Sequence, residues 1–291
     1  MQKTKHLIDR FDVYQQKHRW LSFPLTIIKK YGDDQVGNKA ALLTYYGFLA
    51  LFPLLLVLAT VVQIIATYTH NTDLSNNVIS AATSYFPVLG DQLSGHIHTL
   101  HKSGFALLVG VLFTLYGATG VASAFRQGVN QIWGVKRSEL VTFPKSILKN
   151  LTIIVVGGTG FILAAILSGY AAKAGHGLGF TLLSLGISLF MLFWLFVFLL
   201  HYSLPKRVGL HDIWLAALLA AIGLVFLQFV GTYLLTNHLK RLDALYSYFA
   251  LALGLLFWIY LQAQVVLTAV VIAVLHNSKA APQRLFKSGA N

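Results

Sequence analysis

The polar residues of this sequence fall into a few short segments, and the stretches between them are apolar on every side of a helical wheel. Six such stretches run Ala41–Thr67, Phe105–Phe125, Leu151–Ala172, Phe180–Tyr202, Ile213–Leu235 and Tyr248–Leu275, and none contains Asp, Glu, Lys or Arg. Each reaches the roughly 20 residues that a helix rising 1.5 Å per residue needs to cross a hydrocarbon layer about 30 Å thick. Apolarity on all faces, rather than along one stripe or at alternate positions, favours spanning helices over soluble amphipathic helices or strands. The pattern predicts an all-α, polytopic membrane protein with six transmembrane helices over residues 41–275, flanked by tails at 1–40 and 276–291.

The connections add to this picture. Lys173–Gly179 and Thr236–Ser247 are short, so the third and fourth helices, and the fifth and sixth, are expected to form tight antiparallel hairpins. The connection over 68–104 is longer and holds Pro87, the apolar run Val78–Ala82 and several histidines, which suits one or two short external helices. In the N-terminal tail, Leu7, Ile8, Phe11 and Tyr14 recur at helical spacing among Lys3, Lys5, Arg10, Lys17 and Arg19. That is the pattern of an amphipathic helix lying on an anionic leaflet, although a solvated basic tail would read the same way. The tail has no apolar core leading to a small-residue cleavage site, so it does not read as a removed signal peptide. No repeat relates the two halves of the chain.

Composition agrees with the pattern. The chain of 291 residues is 56% hydrophobic and carries 22 basic against 9 acidic side chains, too few charges to cover a soluble globule. The net charge of +13 would suggest nucleic acid if it lay on one face of a soluble fold, but its distribution follows topology instead. With the N-terminus inside, 18 Lys and Arg fall in the cytoplasmic segments and 4 outside (Lys102, Lys173, Lys240 and Arg241). This positive-inside bias sets both termini in the cytoplasm and leaves no charge for a nucleic acid to explain. The absence of cysteine removes disulfides, thiolate metal sites and cysteine nucleophiles.

Candidate chemistry is sparse and mostly neutral. Gln228 lies in the fifth span, and Gln262 and Gln264 flank the centre of the sixth beside Tyr260. Amides at such depth must face another helix or water, so they either join helices or line a cavity. Gln262 and Gln264 stand about 200° apart around a helix and cannot share a face. At the inner end of the second span, Arg126 and Asn130 form one i, i+4 stripe and Gln127 and Gln131 another, with Trp133 as an interfacial anchor beyond them. Together with Tyr45 and Tyr46 they suit a polar vestibule for an anionic or polyhydroxylated head group, or else a snorkelling arginine with helix caps. Pro53 removes a backbone hydrogen bond within the first span and makes a bend, static or hinging. Gly117, Gly120, Gly157, Gly158 and Gly160 permit close helix approach. The spans hold no titrating relay for proton pumping, and the chain has neither a phosphate loop for ATP nor paired carboxylates for hydrolysis.

Four separated patches resemble one family. They are Ala40-Ala41-Leu42-Leu43-Thr44-Tyr45-Tyr46 with Leu51-Phe52-Pro53-Leu54-Leu55; Gly117-Ala118-Thr119-Gly120 with Asn130-Gln131-Ile132-Trp133-Gly134-Val135; Leu204-Pro205-Lys206-Arg207-Val208; and Phe257-Trp258-Ile259-Tyr260-Leu261. In order and spacing this is similar to the YihY/BrkB family of bacterial inner-membrane proteins, from about residue 25 to residue 277. The resemblance implies six spans in the cytoplasmic membrane, and the family carries a virulence-factor label and an old ribonuclease BN label. Members commonly end the last span with an acidic residue in a Gly-Ala-Glu-type stretch. This chain reads Thr268-Ala269-Val270-Val271-Ile272 there, so a role for that carboxylate does not transfer.

The ribonuclease label meets one motif, the H-x-H-x-x-H of His96, His98 and His101. Metallo-β-lactamase-type nucleases need an aspartate where this chain has Leu100, and further ligands where it has a membrane span. Solvated histidines, or a small zinc site with His70 or Asp73, are the readings that remain. The sequence therefore points to no enzyme and no cofactor. It suggests a transporter or exporter of an amphipathic or small polar solute through a neutral polar cavity. The alternative is a non-transporting organiser that binds membrane lipids or partner proteins, a second copy of the chain among them.

Overall fold

A computed structural model describes residues 19–51, 104–141, 144–173, 178–205, 208–237 and 244–278. Among these residues the regular structure is entirely helical. Helix α1 (Arg19–Asp33) turns at Asp34-Gln35 into α2 (36–51), and α3 covers Gly104–Ile132. A 3-10 turn at Arg137–Glu139 leads to α4 (Lys145–Lys173), α5 (Leu178–Ser203), α6 (Leu210–Asn237) and α7 (Ala244–Asn277).

Each expected span from the second to the sixth lies inside one helix, α3 to α7. The first is already helical at 36, ahead of Ala41, so the boundary drawn at residue 40 falls within a helix. Pro53, the remainder of that span and the histidines His96, His98 and His101 lie outside the described residues. Among the described residues four helices are long and apolar enough to cross a membrane, over Leu108–Ile132, Leu182–Ser203, Leu210–Gly231 and Ala252–Asn277.

Local chemistry fixes the helix ends. Gly134 stops α3 with φ +69°, where its N–H bonds the Gln131 carbonyl and the Val135 N–H reaches back to Asn130. This closure satisfies the last carbonyls of the helix and needs a residue with no Cβ penalty in the left-handed region. At the start of α6, Asp212 accepts the Gly209 N–H at 2.9 Å, and its carbonyl accepts from Asn277 Nδ2 at the end of α7.

Successive helices pack as antiparallel neighbours, α4 on α5, α5 on α6 and α6 on α7, while α7 also touches α1 and α3. The core is aliphatic: Val129 and Ile132 of α3, Leu192 and Leu200 of α5, Ile213 of α6, and Leu267, Val270 and Val271 of α7. Ala216, Ala217, Ala220 and Ala221 let α6 approach its neighbours closely, the device helices use where lipid gives no hydrophobic drive to associate. Large apolar side chains such as Phe113, Phe190, Trp194 and Phe226 point outward, which suits a hydrocarbon solvent.

Of the glycines expected to bring helices together, three do so. A Cβ on Gly117 would meet Ala50, one on Gly120 would stand 2.2 Å from the Tyr46 ring, and one on Gly160 would touch Leu195. Gly157 makes an ordinary contact with Leu199, and Gly158 has nothing within 4 Å, so close approach does not involve it.

Candidate functional site

Among the described residues the most polar buried region lies where the last turns of α3 meet the first turns of α4 and the end of α5. Arg126 is only 8% exposed, so it does not snorkel. Its Nη1 donates to the Ser146 carbonyl and to Asn150 Oδ1, both at 2.9 Å, and its Nη2 donates to Ser146 Oγ at 3.0 Å. Ser146 and Asn150 occupy one face of α4 at i, i+4, which sets their oxygens side by side for the guanidinium fork. Asn150 in turn donates to Ser123 Oγ at 2.6 Å. Asn130, one turn after Arg126, donates to the Arg126 carbonyl at 2.6 Å and to the Ser203 carbonyl at 3.0 Å, tying α3 to α5.

These hydrogen-bond acceptors are all neutral. The positive charge is solvated by dipoles and has no counter-charge among its described partners, an arrangement whose cost falls when an anion arrives. Lys149 adds a second cation. Its Nζ donates to the Tyr202 carbonyl at 3.0 Å and sits 5.2 Å from the Tyr202 ring centroid; that ring stacks on Phe198. Lys149 precedes the apolar stretch that begins at Leu151. Burial, reinforced by the Arg126 charge, holds its ammonium below the ordinary lysine range.

Arg126, Asn130, Lys149 and Ser203 line one cleft, with Glu139 and apolar residues of the adjoining turns. Ser203 is 4% exposed, and its Oγ has no hydrogen-bond partner among the described residues. Such an orphan is uncommon, because buried hydroxyls nearly always find an acceptor.

A second network joins α1 to α7. The Tyr31 hydroxyl donates to Gln264 Oε1, and Gln264 Nε2 donates to the Tyr260 oxygen one turn away. A Cβ on Gly37 of α2 would stand 3.5 Å from the Tyr31 oxygen and 3.6 Å from the Tyr260 oxygen, an ordinary contact distance. Helix α1 thus docks through a polar clasp as well as through the buried Thr26 and the apolar Ile27. Gln264→Leu is expected to loosen α1 by about 1 kcal/mol, the upper range for hydrogen bonds between membrane helices. Limited trypsin digestion at Lys29 and Lys30 reads this out, and unchanged cleavage would mean that apolar contact alone holds α1.

The other expected residues separate. Tyr45 is 57% exposed and meets the Tyr46 ring edge to face at 5.3 Å, while Tyr46 packs over Gly120. Neither tyrosine joins the Arg126 cluster, which turns toward α4 and α5. Gln127 and Gln131 are exposed, so the two polar stripes of α3 have opposite fates. Gln228 is half-buried on α6, and Gln262 is half-buried on α7, turned about 200° from Gln264. Lys149, Ser203, Ser146, Asn150 and Tyr31 complete the two networks and were not among the expected site residues.

Comparison with known proteins agrees with the fold. Residues 27–290 match the family described as "Virulence factor BrkB". A UPF0761 membrane protein of Psychrobacter sp. (strain PRwf-1) is 26% identical over 88% of this chain and 48% of its own length. One from Acinetobacter baylyi is 23% identical over 92% of this chain and 64% of its own, and one from Chlorobium chlorochromatii 24% over 92% and 63%. The chain therefore spans about half to two-thirds of the length of these curated relatives. No solved structure matches. The helices, their outward apolar faces and the match over most of the sequence lead to one conclusion: the chain is a multi-pass integral membrane protein of the BrkB virulence-factor family.

Proposed function

We propose that this is a six-span protein of the bacterial inner membrane, with both ends cytoplasmic, that takes the polar head of an amphipathic solute into the cleft between α3, α4 and α5. The observation that carries the reading is the buried Arg126 guanidinium, bound by neutral partners and opening on a cleft shared with Lys149. Low-dielectric walls around two cations concentrate field and recruit negative charge. The positive-inside bias supports setting this cleft on the cytoplasmic side, where anionic lipid is abundant.

Binding at one end is better supported than conduction along a neutral path. Gln264 is engaged with both Tyr31 and Tyr260, and Asn130 bridges α3 to α5, so these groups serve helix contacts. The role is then to hold or hand over an amphiphile, whether or not it crosses.

Protein purified in a maltoside detergent is expected to retain an anionic amphiphile detectable by native mass spectrometry. Arg126→Gln should lower its apparent affinity about tenfold, the equivalent of ~1.4 kcal/mol. Equal retention by wild type and variant, at equal protein yield, would overturn the reading.

A further inference from the structure

Resting on that reading, we propose that the group recognised in the cleft is a phosphate ester, gripped jointly by Arg126, Lys149 and Ser203. The donors come from three different helices, α3, α4 and α5, and line one cleft. A carboxylate is planar and is satisfied along one edge of a guanidinium. A tetrahedral phosphate projects oxygens in several directions and suits donors arriving from several sides.

Two details of the cleft indicate unused capacity. Arg126 spends three N–H groups on Ser146 and Asn150, out of the five a guanidinium offers. Among the described residues Ser203 Oγ is buried without a partner, although its carbonyl is engaged by Asn130. A hydroxyl left unsatisfied at such burial is costly, and the cost is recovered when an acceptor enters. Glu139 lines the same cleft but is exposed, so the buried Arg126 and Ser203 and the half-buried Lys149 set its character. Among the described residues two cations against one exposed carboxylate leave a net positive site, matched to a ligand carrying between one and two negative charges.

The phosphate belongs either to a lipid head group or to a free phosphate, and one titration separates them. Purified protein in maltoside detergent is titrated with dihexanoyl phosphatidic acid, with dihexanoylglycerol hemisuccinate, which presents a carboxylate on the same tails, and with inorganic phosphate. The phosphatidic acid is expected to bind at least tenfold more tightly than the hemisuccinate. Competition by inorganic phosphate at similar concentration would identify free phosphate as the ligand; failure to compete would identify the head group. Ser203→Ala is expected to weaken phosphatidic acid binding about fivefold while leaving the ligand-free melting temperature unchanged or raised, because it deletes an orphan. A structural serine would lower it. Equal binding of phosphatidic acid and hemisuccinate, both weakened by Arg126→Gln, would overturn the phosphate assignment and leave the amphiphile reading intact. Binding of neither, with the melting temperature unmoved by any ligand, would overturn both.

Discussion

Gly117→Ala is expected to destabilise the protein by about 3 kcal/mol, toward the upper end of what one inserted methyl group costs in a packed interior. The added carbon would stand 2.6 Å from the Ala50 Cβ and 2.8 Å from the Ala50 backbone nitrogen and Cα. No rotamer change relieves a clash with backbone, so α2 and α3 must move apart along their length and the Tyr46–Gly120 contact loosens with them. Gly160→Ala is expected to cost less, since a methyl group of Leu195 is the obstacle and can swing aside. Gly158→Ala meets open space and should stay within about 0.5 kcal/mol of wild type. Melting in detergent followed by fluorescence-detected gel filtration ranks the three, and a Gly117→Ala protein as stable as Gly158→Ala would show that α2 and α3 do not pack as described.

Asn150→Leu is expected to cost about 2 kcal/mol, the range for a hydrogen bond made to a charged group. The substitution removes the Oδ1 that accepts from Arg126 and the Nδ2 that donates to Ser123. It leaves a buried guanidinium with one acceptor fewer and nothing to replace it. The loss should depend on the arginine. In an Arg126→Met background the charge is gone, and Asn150→Leu should cost less than 1 kcal/mol, a coupling of the size seen between residues in direct contact. Additive effects of the two substitutions would separate Asn150 from Arg126 energetically and remove the basis for a solvated buried charge.

The helices were legible because spanning a hydrocarbon layer imposes a coarse rule, a long run without charge, which α3, α5, α6 and α7 obey over their described residues. The site was half legible. Arg126 and Asn130 stood out at helical spacing beside an apolar span. Lys149 did not, because a lysine just before a span reads as a topology signal, and that bookkeeping hides the direction of its side chain. Ser146, Asn150 and Ser203 are small polar residues near helix ends, where such residues ordinarily cap, and only the crossing of α3 with α4 and α5 brings them around one charge. Tyr31 was not legible for another reason: it follows the basic stretch of the tail with no partner visible in sequence, and only the docking of α1 on α7 presents its hydroxyl to Gln264; the expected amphipathic helix over Leu7–Tyr14 lies outside the described residues. The expected grouping of Tyr45 and Tyr46 with Arg126 failed because shared depth along neighbouring helices does not determine azimuth.

Gly223 and Gly231 of α6 are notches that receive Val265 and Trp258 of α7; a Cβ at either glycine would lie 2.4 Å or 2.3 Å from the inserted side chain. Two teeth seated in two gaps behave as a keyed joint. Screwing or sliding one helix along the other would drive the indole into the flanking side chains of α6, so α6 and α7 must travel together. Whatever excursion this protein makes during its working cycle has its pivot elsewhere.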